Sequence, residues 1–131
     1  MLSNRGKGVL LRGPSGAGKS DLALRLMAPP RSWQLVADDQ VLVRRSHGGL
    51  SGEAPPTIAG KLEVRGIGIV AAASAANAAI RLIVDLVPRA DVPRMPETGE
   101  TAELLGVLVP RCRLHAFDAS CPDKIALLLG K

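Results

Sequence analysis

Residues 13–20 read Gly13-Pro14-Ser15-Gly16-Ala17-Gly18-Lys19-Ser20. The spacing is that of a phosphate-binding loop, G-x-x-x-x-G-K-[ST]. Its chemistry depends on backbone more than side chains. The glycines let the chain curl so that successive N–H groups point at phosphate oxygens. The helix that follows adds its positive N-terminal end. Lys19 can reach the terminal phosphates, and the Ser20 hydroxyl can hold Mg²⁺. All eight residues are expected to contact the phosphates of a nucleotide.

Asp38 and Asp39 close the apolar run Leu35-Val36-Ala37. A carboxylate at the end of such a strand can hold Mg²⁺ for a phosphate loop or orient the attacking group. Two in succession can divide that work, and spacing alone does not say which does which. Glu63 and Arg65 lie in LEVRGIGI, residues 62–69. On a strand they would share one face. Gly66 and Gly68 beside them are expected where a strand end comes close to a ligand, with a cross-face salt bridge as the plainer alternative. His47 and His115 have no partner at a ligand spacing and are expected on the surface or in packing. Cys112 and Cys121 make neither a disulfide framework nor a zinc site, and are expected to be incidental thiols. No Ser-His-Asp set and no hydrolase pair of carboxylates emerges.

These residues need elements to hold them. An apolar strand is expected at 8–12, just before the loop, and a helix over 19–27 (KSDLALRLM), stopped by Pro29-Pro30. Further strands are expected at 33–37, ending on the aspartates, and at 41–44. The glycine-rich stretch 46–52 reads as a turn, and 62–69 alternates apolar and polar at its start and then carries two glycines. The β-branched run 80–87 (IRLIVDLV) is the strongest strand signal. Residues 88–99 hold three prolines and read as a surface loop long enough to act as a lid. Strands at 104–109 and 111–117, then a helix over 122–129, complete an α/β pattern.

The chain has 131 residues, 47% hydrophobic and 22% charged, which fits one folded domain and excludes disorder. No stretch approaches the ~18 apolar residues of a membrane helix, since Arg81 and Asp85 interrupt the most apolar region. No secretion signal is visible, so a cytoplasmic setting is expected. The net charge is +5, yet Trp33 and Phe117 are the only aromatics, too few for base-stacking tracts, so nucleic acid is not an expected partner. Arginines outnumber lysines twelve to five, which suits phosphorylated partners.

GVLLRGPSGAGKSDLALRL, then LVADD, then GEAPPTIAGKLEVRGIGIV resemble, in that order, the C-terminal catalytic domain of the HPr kinase/phosphorylases. The likeness is close from residue 8 to about 70 and looser beyond. It implies a P-loop fold like that of phosphoenolpyruvate carboxykinase, with a mixed sheet, and residues 1–131 as one catalytic domain without a separate N-terminal domain. It implies ATP-dependent phosphorylation of a serine on HPr or an HPr-like phosphocarrier, and the reverse reaction with inorganic phosphate, releasing pyrophosphate. Carried over by position, Lys19 stabilises the transferred group, Ser20 and Glu63 hold Mg²⁺, one of Asp38 and Asp39 takes the serine proton, and Arg94 reaches the phosphoryl group. Arg65, Gly66 and Gly68 fall in the family's signature segment. Homohexamers are common in the family. Two departures stand out: the family carries a histidine shortly before the P-loop strand, where 3–8 (SNRGKG) has none, and alanines follow Val70 where a polar residue is usual. A nucleotide-binding regulatory module without turnover and a kinase of a small metabolite are the alternative readings.

Overall fold

The computed structural model describes residues 1–130. In chain order its elements are β1 (Leu2–Asn4), β2 (Lys7–Arg12), α1 (Lys19–Met27), β3 (Gln34–Leu35), β4 (Leu42–Ser46), β5 (Gly49–Glu53), β6 (Lys61–Val64), β7 (Gly68–Ala71), β8 (Asn77–Leu86), β9 (Thr101–Leu104), β10 (Val107–Leu114) and α2 (Cys121–Leu129).

The run that reads most clearly as strand, within β8, is the centre of the sheet. It pairs in parallel with β2 on one side and with β10 on the other, while its first residues pair antiparallel with β5. The main path runs β3-β1-β2-β8-β10-β9, with β4 hydrogen-bonded to β5. The sheet is therefore mixed, as expected. Alternation along the strands separates two cores, with a bulge at Arg81 of β8 that shifts the phase between Ile80 and Leu82. Leu82, Val84 and Leu86 of β8 join Val9 and Leu11 of β2 against Leu22 and Leu26 of α1 and Ile125 and Leu129 of α2. Leu10, Ile80, Ile83 and Val109 pack on the opposite face with Val36 and Leu50. The β6–β7 hairpin is a separate two-stranded sheet, seated through the fully buried Leu62.

The helix over 19–27, the strand at the end of which the P-loop begins and the terminal helix stand where expected. Several other boundaries move. Residues 2–4 form a strand that the polar composition there conceals. The stretch 46–52 is mostly strand, because the turn needs only His47 (φ +50) and Gly48 (φ +77). The break expected near Pro110 lies instead at Leu105 (φ +48) and Gly106 (φ +77), so 104–109 is not one strand. Pro110 is tolerated inside β10 because pairing with β8 starts only at Arg111, leaving one side of the proline without a ladder neighbour. The strand expected at 33–37 is formal only at β3, although Val36 and Ala37 both donate to the Met1 carbonyl, at 2.9 and 3.2 Å. Residues 62–69 bend into a hairpin that joins β6 to β7. Ile67 N donates to Val64 O at 3.0 Å, with Gly66 at φ +89 in the third position, as a type II turn requires.

A row of charges crosses the C-terminal ends of the parallel strands. Asp85 accepts two bonds from Arg12, at 2.7 and 2.9 Å, and another from Arg111, whose guanidinium also reaches Glu100 at 2.8 Å. Partial burial pushes the Asp85 carboxyl up, but the arginine hydrogen bonds and charges outweigh it and hold the group below its ordinary 3.8. A depressed pKa contributes stability above the unfolded value and loses it as pH falls through the folded one. Melting temperature should therefore drop on acidification below about pH 4, and less steeply in Asp85→Asn than in the wild type. Equal acid limbs in the two proteins would detach this network from acid unfolding.

Candidate active site

The chain leaves β2 at Arg12 and turns at Gly13 between two strands' ends. A Cβ on Gly13 would stand 3.0 Å from Ala17 Cβ and 3.2 Å from the Leu86 carbonyl oxygen. Ala17 N donates to Pro14 O at 3.0 Å, closing a turn. Gly16 and Gly18 take φ of +84 and +95. Gly18 also caps α1 without any side-chain hydrogen bond, so no side chain competes for the first-turn amides. Lys19 Nζ donates to the Gly13 carbonyl at 2.8 Å, which folds the ammonium over its own loop.

The backbone bonds of β3 and residues 36–37 deliver Asp38 opposite Ser20. The Ser20 hydroxyl donates to Asp38 Oδ1 at 3.2 Å, and Glu63 N donates to Oδ2 at 3.0 Å. Both oxygens of this half-buried carboxylate are engaged. Asp39 is exposed, lines the same cleft as Lys19 and Asp38, and has no hydrogen-bond partner among the described residues. Among the described residues no three His, Cys, Asp or Glu side chains converge as a metal cage. The Ser20 hydroxyl and the Asp38 carboxylate are hard oxygen donors at contact distance. They suit a cation that takes its remaining ligands from phosphates and water, as Mg²⁺ does.

The fold thus brings together Lys19, Ser20, Asp38, Asp39 and the backbone of Glu63. The Glu63 side chain is exposed. Arg65 does not share a strand face with it: β6 ends at Val64, and Arg65 and Gly66 form the exposed hairpin tip that leads into Gly68 (φ +109). Arg94 is exposed in the 88–99 loop and has no ion pair or hydrogen bond among the described residues.

A family model described as the HPr serine kinase C-terminal domain matches residues 1–120. The chain belongs to this family. Among curated relatives, an HPr kinase/phosphorylase of Lactobacillus acidophilus is 37% identical over 125 residues, covering 87% of this chain and 38% of that protein. One of Burkholderia cenocepacia is 39% identical over 120 residues, covering 84% of this chain and 37% of that protein. This chain therefore spans less than two fifths of the length of the curated relatives. A solved structure of the Hpr(Ser) kinase/phosphatase from Coxiella burnetii superposes with a TM-score of 0.83 at 27% identity, over 98% of this chain and 84% of that one. The P-loop α/β fold with a mixed sheet, expected from the likeness to phosphoenolpyruvate carboxykinase-like domains, is the fold found.

In this domain, the segment after β10 completes the wall of the P-loop. A Cβ on Gly18 would meet Ala116 Cβ at 2.8 Å and Phe117 Cζ at 2.9 Å. Asp118 is held by two bonds from Arg89, at 2.9 and 2.7 Å, which ties the 88–99 loop to the same segment. That contact also holds the Asp118 carboxyl below its usual range. Neither residue carries a motif. The one available signal was an aromatic in HAFD, directly after a strand, in a chain with a single phenylalanine. His115 packs as expected, its Nδ1 3.0 Å from the Val87 carbonyl. The cysteines form no disulfide, and burial pushes the Cys112 thiol up to about 12. Among the described residues no helix is long and apolar enough to cross a membrane.

Proposed function

We propose that this domain transfers the γ-phosphoryl group of ATP to a serine hydroxyl of HPr or an HPr-like phosphocarrier. One observation carries the reading: Ser20 of the P-loop meets Asp38 at 3.2 Å while the signature hairpin reaches the same carboxylate through Glu63 N. The names of its relatives supply the acceptor. Phosphoryl transfer leaves the protein little covalent chemistry, so positioning and charge neutralisation must account for the rate. The backbone N–H groups of residues 13–20 other than Pro14, together with the Lys19 ammonium, would surround the β- and γ-phosphates. Ser20 and Asp38 would hold Mg²⁺, with the Glu63 carboxylate as the further ligand that the family likeness assigns to it; the ion when bound offsets phosphate charge. Asp39, whose oxygens are open, accepts the serine proton as the new oxygen–phosphorus bond forms and ADP leaves with the electrons of the broken bond. In reverse, inorganic phosphate attacks phosphoserine, giving serine and pyrophosphate. A cytoplasmic setting belongs to the same proposal, and the two free thiols support it.

The test is label transfer from γ-labelled ATP, with Mg²⁺, to a purified HPr-type carrier, followed by mapping of the labelled residue. Label on a serine is expected. Asp39→Asn should lose at least about a hundred-fold in rate and still bind ATP, in the range of a missing general base. Asp38→Asn should lose transfer and also weaken Mg²⁺-dependent ATP binding, because it frees Ser20. No labelled serine with the wild type would overturn the proposal.

A further inference from the structure

We propose that Phe117 is the platform on which the base of the bound nucleotide stacks; this rests on the P-loop binding a nucleotide. Phe117 is the only phenylalanine in the chain, and it is 55% exposed. Single exposed apolar side chains are common on protein surfaces, so position rather than exposure carries the argument. Its place is specific. The ring edge stands on Gly18, with Cζ and Cε1 at 2.9 and 3.2 Å from where a Cβ on that glycine would be. It therefore sits at the N-terminal end of α1, where the phosphate-binding amides converge. The loop that carries it leaves the C-terminal end of β10, the side on which open parallel sheets gather their ligands.

The ring is also held still. His115 packs edge-on against it, with centroids 5.8 Å apart at 66°, and is itself fixed by the Val87 carbonyl. On the other side Arg25 of α1 donates to the Ala116 carbonyl and, at 3.3 Å, to the Asp118 carbonyl. Arg89 grips the Asp118 carboxylate. An aromatic surface pre-positioned beside a phosphate site gains stacking energy at little ordering cost. No other aromatic competes for the role, since Trp33 is buried in the helix-side core.

A ring that only props Gly18 would support phosphates and base alike, and that difference makes the test. Calorimetric titration with Mg²⁺ present would compare ATP with inorganic tripolyphosphate, which lacks base and sugar, on the wild type, Phe117→Ala and Phe117→Trp. Phe117→Ala is expected to bind ATP about ten-fold more weakly, equivalent to about 1.4 kcal/mol, and tripolyphosphate unchanged. Phe117→Trp, which keeps a stacking face, should restore ATP binding. Equal losses for both ligands, or no loss for ATP, would overturn the proposal. A wild type that binds neither ligand would instead refute the P-loop reading on which it rests.

Discussion

Lys19→Ala should lower the rate of phosphoryl transfer about a thousand-fold at saturating ATP, while the melting temperature stays close to that of the wild type. Removing one preorganised donor from a developing charge costs about 10²–10³ in rate, and a full positive charge belongs at the upper end of that range. Lys19 is the sole lysine lining the cleft. Its only hydrogen bond is to the Gly13 carbonyl, which water can replace, so the fold loses little. Position 19 is the first residue of α1, where alanine is a good helix former. Lys19→Arg should not rescue the rate, because a planar guanidinium cannot occupy the place of a compact ammonium on a four-carbon stem. Initial rates of label transfer together with thermal melts decide the matter. A Lys19→Ala protein retaining more than about a tenth of the activity would remove this residue from the reaction, since a single such donor is worth far more.

Gly18→Ala should abolish measurable ATP binding and destabilise the domain by about 2–5 kcal/mol, from strain at a left-handed backbone plus overpacking. The two costs have separate origins. Gly18 holds φ at +95, where a side chain is strained whatever the space around it. In addition the new Cβ would lie 2.8 Å from Ala116 Cβ and 2.9 Å from the Phe117 ring. The ring packs against His115, and Ala116 is buried with its carbonyl gripped by Arg25, so the loop must give. Moving the loop shifts the amides that meet phosphate. Gly16→Ala is the control: φ is +84 there, with nothing within 4 Å of the added carbon, so it carries strain alone. The two variants should differ in melting temperature by several degrees, about what 1–2 kcal/mol produces in a domain of this size. Identical melting would show that the crowding by Ala116 is not real.

What could be read without coordinates was whatever depends on short-range spacing. The P-loop, α1 and the core of β8 are local patterns, and each stands within a residue or so of its expected place. The hairpins were harder. Three of them turn on two residues with positive φ: Arg5-Gly6, His47-Gly48 and Leu105-Gly106. The usual marks of such a turn are Asn-Gly and Asp-Gly, and Arg, His or Leu in the first position hides it. The strand expected over 104–109 therefore runs through Leu105, and β1 has no counterpart among the expected elements. In the site, type and rank of Asp38 and Asp39 were legible, but their division was not. Side chains alternate along an extended chain, so of two adjacent carboxylates only one faces the Ser20 hydroxyl, 18 residues earlier in sequence, and tertiary structure decides which. Arg65 was misplaced because Gly66 permits a turn that a strand pattern does not foresee. The acceptor protein came from resemblance alone, since no docking motif is written in the chain.

The bond from Glu63 N to Asp38 has a consequence for how this position can vary. The donor is a main-chain amide, common to every residue but proline. Whatever side chain occurs at 63, the hairpin still latches onto the Asp38 carboxylate. Drift there can alter charge, reach and metal preference without unlatching it. Only proline opens the latch, and it does so while leaving every acidic group of the cleft in the chain.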